Sequence, residues 1–161
     1  MLRFFRRNKS LEIVSPLTGK VLSIEEVPDQ VFSEKMLGDG LAIEPEEGKV
    51  VSPIDGRVVT IFPTNHAIGL VTNEGLEILI HIGIDTVELN GEGFKRIVEK
   101  DEKIKKGDLL MEFDVDLIKE KGKSPITPII ITNMDKVKNI EKSKSDKASR
   151  GETVIIKVDL T

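Results

Sequence analysis

The chain has 161 residues, 39% hydrophobic and 32% charged, with a formal net charge of -4, which is typical of one soluble globular domain. Only 4% of the residues are aromatic, so a negative surface with few stacking rings argues against nucleic-acid binding. Cys is absent, which excludes disulfides, thiolate chemistry and cysteine zinc sites and fits the reducing cytoplasm, where we expect the protein.

Residues 1–10 are predicted to form a flexible N-terminal tail that precedes a single domain at residues 11–161. Residues 1–9 are basic and apolar, but they lack the apolar core of a secretory signal. They could make a weak contact with an anionic membrane surface, or they could be a frayed terminus. No stretch approaches the ~20 apolar residues that are needed to span a bilayer.

The domain is predicted to be all-β, because short β-branched runs are broken by Gly, Pro, Asn and Asp. The predicted strands include Lys49 to Val51, Val58 to Phe62, Ile68 to Thr72, Leu109 to Phe113, Pro128 to Thr132 and Val154 to Val158. A pattern of Val-Ser-Pro, an apolar residue, a variable residue and Gly occurs twice, at residues 14–19 and 51–56. A weaker echo pairs residues 38–41 with residues 107–110. Two copies are too few for a solenoid, so we predict a sandwich or barrel of short antiparallel strands with internal pseudo-symmetry.

Helix is predicted only in one or two short pieces. Asp114 or Asp116 could cap a turn or two that stops at Gly122. A second helix could begin at Asn133 and continue through Ile140. The polar, Lys- and Ser-rich residues 141–151 are predicted to be an exposed loop.

The predicted strand from Leu76 to Asp85 carries the main candidate, His81. Period-two alternation places Leu76, Ile78, Ile80 and Ile82 on one face and Glu77, Leu79, His81, Gly83 and Asp85 on the other. Just upstream, Thr64 and His66 are spaced so that a hydroxyl and an imidazole can point the same way in extended chain. Two imidazoles, a hydroxyl and the Asp85 carboxylate suit phosphoryl transfer. One neutral ring nitrogen can attack phosphorus while the other groups donate hydrogen bonds to its oxygens.

Other interpretations of these residues remain open. A histidine on a strand is often a plain structural residue. His66 and His81 could hold zinc, with Asp85 or a partner's carboxylate added, although a closed structural site is not expected without Cys or a third His. Ser-His-Asp hydrolysis is conceivable, but no Ser has a nucleophile-elbow context. The segment at Met134 resembles the lysine hairpin of lipoyl domains, but residues 138–142 lack an alternating return strand.

Four motifs resemble the glucose-class enzyme IIA of the bacterial sugar phosphotransferase system, a superfamily with glucose, β-glucoside and N-acetylglucosamine members. They are residues 28–40, 64–67, 81–87 together with 91–94, and 132–135. The match runs in order from about Ile13 to the C-terminus. The resemblance implies a β-sandwich-like barrel with a shallow active-site depression and a phosphotransferase component that acts through a phosphohistidine.

The resemblance also implies a role for individual residues. His81 matches the phosphorylated histidine of the family, His66 its partner and Thr64 the threonine of that network. Asp29 and Asp85 correspond to acidic residues that flank the site. An apolar ring that docks partner proteins corresponds to Val31, Phe32, Met36, Phe62, Leu79 and Val87. No cofactor is required, although the family's histidine pair can hold zinc when a partner supplies a carboxylate.

We therefore expect a phosphocarrier that takes a phosphoryl group from phospho-HPr on His81. It would pass this group to the IIB domain of a sugar permease, the membrane component that also contains IIC, of the glucose type. The alternative is a regulatory module that binds target proteins through the same face and uses phosphorylation of His81 only as a switch.

Overall fold

The computed structural model describes residues 10–161 and confirms the all-β prediction. Within this range the strands are β1 (Ser10–Val14), β2 (Gly19–Ser23), β3 (Asp39–Pro45), β4 (Lys49–Val51), β5 (Gly56–Ile61), β6 (Ala67–Thr72), β7 (Glu77–His81), β8 (Phe94–Arg96), β9 (Lys103–Ile104), β10 (Leu109–Phe113), β11 (Thr127–Ile131), β12 (Val137–Lys142), β13 (Lys147–Ala148) and β14 (Val154–Leu160). Two short helices are present, α1 (Gln30–Ser33) and α2 (Val115–Glu120). The predicted membrane contact of residues 1–9 falls outside the described residues.

The strands form three antiparallel sheets. The largest has eight strands in the order β13-β2-β3-β11-β7-β6-β5-β9. Two sheets of three strands, β1-β14-β12 and β4-β10-β8, complete the molecule. The six strands that were predicted from β-branched runs are all present, with ends shifted by at most two residues.

The predicted internal pseudo-symmetry is visible in the hydrogen bonds of the two Ser-Pro turns. Ser15 and Ser52 are both fully buried. Each donates its Oγ hydrogen to the carbonyl two residues later, at 2.6 Å and 2.7 Å respectively. The residue before each serine donates its N–H to the proline carbonyl of the other turn, at 3.1 Å and 2.9 Å. The two halves therefore interlock through reciprocal bonds.

Residues 38–41 and 107–110, which are weakly similar in sequence, do not occupy equivalent positions in the two halves of the fold. The structural counterpart of Gly107 is Gly151, because their N–H groups donate to the carbonyls of Ser52 and Ser15 at 2.9 Å and 2.8 Å. Both glycines stand between a basic and an acidic residue, in Lys106-Gly107-Asp108 and Arg150-Gly151-Glu152, and a strand follows each. The pairing of residues 38–41 with residues 107–110 overlooked this likeness.

The eight-stranded sheet has an apolar cluster on each face. Alternation along β7 places Ile78 and Ile80 in the main core, as predicted, while Leu79 faces the opposite side. The smaller cluster on that side consists of Leu22, Ile24, Val27, Phe32, Ala42, Ile84 and Ile130. His81 shares the face of Leu79, so the candidate site borders this smaller cluster.

Of the two predicted helices, one is confirmed and one is wrong. Asp114 caps α2 by accepting the N–H of Leu117 at 3.0 Å, and Gly122 follows with a φ of 76°. The helix predicted from residue 133 to 140 is instead a 3₁₀ turn followed by β12, which pairs with β14. A β-bulge after Val137 breaks the alternation, so that apolar residues three positions apart both pack against the core and imitate helical spacing.

Strand β12 also bears on two other predictions, the exposed loop at residues 141–151 and the lysine hairpin at Met134. The loop predicted at residues 141–151 is shortened, because β12 reaches Lys142 and β13 pairs with β2. A return strand does follow Met134, but β12 pairs with β14, while β11 lies between β3 and β7. The segment therefore forms no lipoyl-type hairpin.

Candidate active site

The two histidines lie at adjacent ends of neighbouring strands of the large sheet, because His66 directly precedes β6 and His81 is the last residue of β7. His81 ends β7 and pairs with Ala67 of β6, the residue directly after His66. The N–H of Ile82 donates to the His66 carbonyl at 2.7 Å, which holds the two chain segments together. The ring centroids are 5.1 Å apart, and the rings meet edge to face at 78°. The structure thus brings both imidazoles to one place.

Thr64 contacts His66 through a turn. Its Oγ1 lies 2.5 Å from His66 Nδ1. This contact was predicted for an extended chain, but residues 63–66 form a turn in which Asn65 has a φ of 59°. Turn geometry, rather than strand alternation, directs the hydroxyl towards the ring.

A backbone carbonyl fixes the tautomer of His81. The carbonyl oxygen of Gly83 lies 2.8 Å from His81 Nδ1, and a carbonyl can only accept a hydrogen bond. Nδ1 therefore carries the ring hydrogen in the neutral imidazole. The lone pair is left on Nε2, the nitrogen that is available as a nucleophile.

A phenylalanine ring packs against each imidazole. Phe32 lies 5.0 Å from His81, and Phe62 lies 5.4 Å from His66 in an edge-to-face contact. Phe32 is only 5% exposed, so it belongs to the wall of the site rather than to its exposed rim. His66 is also 5% exposed, whereas His81 is half-buried.

This environment keeps both rings neutral. Burial, and then the proximity of His81, lowers the pKa of His66 to about 4. Burial also lowers the pKa of His81. The hydrogen bond to Gly83 and the charges of Asp29 and Asp85 oppose this effect on the pKa of His81. Near neutral pH, His81 is therefore an uncharged base.

The two flanking carboxylates come from different elements. Asp29 caps α1, where its Oδ1 accepts the N–H of Val31 at 2.9 Å. Asp85 is exposed and has a φ of 59° at the start of the 3₁₀ turn Thr86–Leu89. Both act on His81 through their charge.

The six side chains of the predicted apolar ring differ in how much of their surface is exposed. Met36, Val87 and Val31 are 68%, 49% and 38% exposed, so they form an accessible rim. Phe62 and Leu79 are half-buried, and Phe32 is buried. Sequence reasoning missed Leu37, which is 46% exposed and directly follows Met36.

The site offers few ligands for a metal ion. Among residues 10–161, no group of three or more His, Cys, Asp or Glu side chains is arranged to hold one. His66 and His81 alone supply two nitrogens, half of a tetrahedral zinc site.

Comparison with known proteins identifies the family. Residues 11–137 match the family described as phosphoenolpyruvate-dependent sugar phosphotransferase system, EIIA 1. The chain belongs to this EIIA family. It is 52% identical over 148 residues to the PTS system glucose-specific EIIA component of Bacillus cereus, covering 92% of this chain and 90% of that protein. The corresponding protein of Staphylococcus epidermidis is 48% identical over 154 residues, covering 96% and 93%.

The fold of this EIIA chain is also that of a solved relative. The structure of glucose permease IIA from Mycoplasma capricolum superposes with a TM-score of 0.88 and 42% sequence identity, covering 96% of this chain and 99% of that one. Membership of the EIIA family makes the chain a phosphotransferase component, and its role is that of a phosphocarrier. It implies interaction with HPr and the IIB/IIC sugar permease. Within residues 10–161, no helix is long and apolar enough to cross a membrane.

Proposed function

We propose that this EIIA chain accepts a phosphoryl group from phospho-HPr on Nε2 of His81 and passes it to the IIB domain of a glucose-type permease. The observation that carries the proposal is the hydrogen bond between His81 Nδ1 and the Gly83 carbonyl. It leaves the lone pair on Nε2, beside the ring of His66. The names of the similar proteins from Bacillus and Staphylococcus support glucose as the sugar class.

The transfer is an in-line displacement at phosphorus. The lone pair of His81 Nε2 forms the new N–P bond while the bond from phosphorus to the donor's histidine breaks, and its electron pair returns to the donor ring. Transfer to IIB repeats the step with His81 as the leaving group. In the step from HPr, the N–P bond that breaks and the N–P bond that forms are similar in kind. The protein therefore mainly supplies positioning and hydrogen-bond donors.

His66 supplies one of these donors. The Thr64 hydroxyl can donate to or accept from His66 Nδ1, and we propose that it donates, which places the ring hydrogen of His66 on Nε2. This N–H is available to a phosphoryl oxygen on the neighbouring ring, which lies 5.1 Å away between centroids. The lowered pKa of His66 keeps the ring neutral, so it acts as a hydrogen-bond donor and not as a cation.

Partner docking covers the site. The exposed side chains of Met36, Val87 and Val31 provide the apolar surface on which HPr and IIB would rest in turn. Covering the histidines excludes water, which protects the phosphohistidine from hydrolysis and strengthens the local electrostatics. We place this exchange in the cytoplasm, in agreement with the absence of Cys.

Transfer assays with labelled phospho-HPr and a IIB acceptor test the proposal. His81→Gln should accept no phosphate. His66→Gln should still accept phosphate from HPr but should fail to pass it on, because the imidazole that positions the phosphoryl group is replaced by an amide of different shape and reach. Normal phosphorylation of the His81→Gln protein would end the proposal.

We also propose that zinc takes no part in this relay and binds the histidine pair only when a partner's carboxylate completes the ligand set. Nε2 of His81 carries a lone pair, but Nε2 of His66 could bind zinc only after its hydrogen moves to Nδ1, where the Thr64 hydroxyl would accept it. Treatment with EDTA should therefore leave the rate of phosphoryl transfer unchanged. A loss of transfer that added zinc restores would contradict this.

A further inference from the structure

Thr86 is a buried residue beside the site that the transfer steps above do not use. It begins the 3₁₀ turn Thr86–Leu89 and is 0% exposed. Its Oγ1 donates a hydrogen bond of 2.5 Å to the carbonyl of Ile82, four residues earlier. A fully buried hydroxyl with a single short bond ties the turn back to the end of β7.

The residue that receives this bond connects the two histidines. Ile82 follows His81 directly, and its N–H donates to the His66 carbonyl at 2.7 Å. Its own carbonyl is the acceptor of the Thr86 hydroxyl. Ile82 is therefore held through both peptide units that flank it, by His66 on its N-terminal side and by Thr86 on its C-terminal side.

The methyl group of Thr86 holds the next residue. Gly83 has a φ of 77°, and a Cβ built on it would lie 2.5 Å from Thr86 Cγ2. The methyl group thus fills the space where a side chain would be and packs against the Gly83 backbone. Both ends of the Thr86 side chain contact the backbone that presents the Gly83 carbonyl to His81.

We propose that Thr86 is a positioning residue for phosphoryl transfer. Its bond to the Ile82 carbonyl and its methyl contact restrain Gly83 from the N-terminal side, while the Ile84 N–H, which donates to the Ser124 carbonyl at 2.9 Å, restrains the peptide unit that follows Gly83. The Gly83 carbonyl held in this way keeps the hydrogen of His81 on Nδ1 and the lone pair on Nε2. Thr86 acts through Gly83 rather than on the ring or the phosphoryl group. The consequence for transfer rests on the proposed role of His81, whereas the effect on the tautomer does not.

Two variants isolate the hydroxyl. Thr86→Ala and Thr86→Ser differ only by that group, and neither adds bulk to the site. Thr72→Ala is the matched control, because Thr72 is also buried and its Oγ1 accepts the Leu76 N–H at 3.0 Å, but at the far end of the β6–β7 hairpin. For each protein, ¹⁵N NMR of the histidine rings reports which nitrogen carries the hydrogen. Labelled phospho-HPr gives the rate of phosphorylation.

We expect Thr86→Ala to populate the Nε2–H form of His81 and to slow phosphorylation by roughly ten- to a hundredfold, as for a slightly misplaced reacting group. Thr86→Ser should restore the Nδ1–H form and most of the rate. Thr72→Ala should leave the tautomer as in the parent protein.

Two results would overturn the inference. These are an unchanged tautomer in Thr86→Ala, whatever its rate, and a failure of Thr86→Ser to restore the Nδ1–H form. If circular dichroism shows Thr86→Ala to be unfolded, Thr86→Val takes its place in the ring comparison, because valine lacks the hydroxyl but keeps a methyl group against Gly83. If the parent protein fails to accept phosphate, the proposed function is contradicted. The tautomers of His81 in the Thr86 variants would still test the role of Thr86, because they do not depend on phosphorylation.

Discussion

The carbonyl of Gly83 accepts a 2.8 Å hydrogen bond from the imidazole of His81, only two residues before it in the chain. This contact needs a backbone that turns sharply after β7, and Gly83 has a φ of 77°. A residue with a side chain would be strained there. The tautomer of the proposed nucleophile therefore depends on a position that only glycine fills well.

Gly83→Ala should destabilise the protein and slow its phosphorylation. The new Cβ would lie 2.5 Å from Thr86 Cγ2 and 2.9 Å from the Ser124 carbonyl oxygen. Gly122→Ala is the control, because Gly122 has nearly the same φ, 76°, but no atom within 4 Å of the added carbon. We expect the control to cost about 1 kcal/mol from backbone strain alone, and Gly83→Ala to cost clearly more. Urea unfolding measures both, and equal losses would show that the close contacts do not matter.

Thr64→Val should slow the transfer from His81 to IIB by roughly tenfold, because the Nε2–H form of His66 is no longer favoured. Valine has nearly the shape of threonine, but it cannot donate to His66 Nδ1, which lies 2.5 Å from the Thr64 hydroxyl. Single-turnover transfer to IIB gives the rate. The ring spectrum of His81 in the same variant is the control, since its bond to Gly83 is untouched. An unaltered transfer rate would show that Thr64 has no part in the relay.

Protein stability should fall as the pH is lowered from 6.5 towards 4. The unfolded chain takes up a proton on His66 near its ordinary pKa of 6.5, whereas in the folded protein the pKa is lowered to about 4. The contribution is complete above pH 6.5 and is lost as the pH falls through this window, on the order of 3 kcal/mol at about 1.4 kcal/mol per pKa unit. Unfolding curves at several pH values measure it. The His66→Gln protein should lack this part of the pH dependence, and an identical dependence would refute the assignment.

Phe32 and Met36 should respond differently to truncation. Phe32 is 5% exposed and packs on His81, so Phe32→Ala should cost about 3 kcal/mol of stability. Met36 is 68% exposed, so Met36→Ala should change stability by less than about 0.5 kcal/mol. Met36→Ala should instead weaken the interaction with HPr several-fold, which is measured as a higher KM for phospho-HPr. Unchanged KM values in Met36→Ala would remove this residue from the docking rim.

Sequence predicted the structure best in segments where the apolar residues follow the two-residue period of a regular strand. Alternation along β7 correctly separated Ile80 from Leu79 and His81, because a strand with two different faces obeys it. The same logic failed for Val137 and Ile140, where a β-bulge imitated a helical spacing. A bulge is imposed by the partner strand, and residues 133–140 alone carry no information about β14.

In the candidate site, too, sequence could predict the residue types but not the features that depend on backbone geometry. Both histidines could be chosen from residue type and motif, and their proximity follows from the adjacency of β6 and β7. The role of the Gly83 carbonyl could not be chosen, because it depends on a backbone angle. The burial of Phe32 was also missed, since it depends on how the short segment with α1 folds over the sheet.

The pairing of β1 with β14 has a consequence for biosynthesis. The partner of Ser10–Val14 is Val154–Leu160, which also pairs with β12. On the ribosome β1 stays unpaired until residues 154–160 have emerged, so its sheet cannot form before the strands that lie between β1 and β14 in the chain have been made. Such distant partners also predict slow folding. Until then β1 and β12 lack the strand that lies between them, and such unpaired edges are open to aggregation.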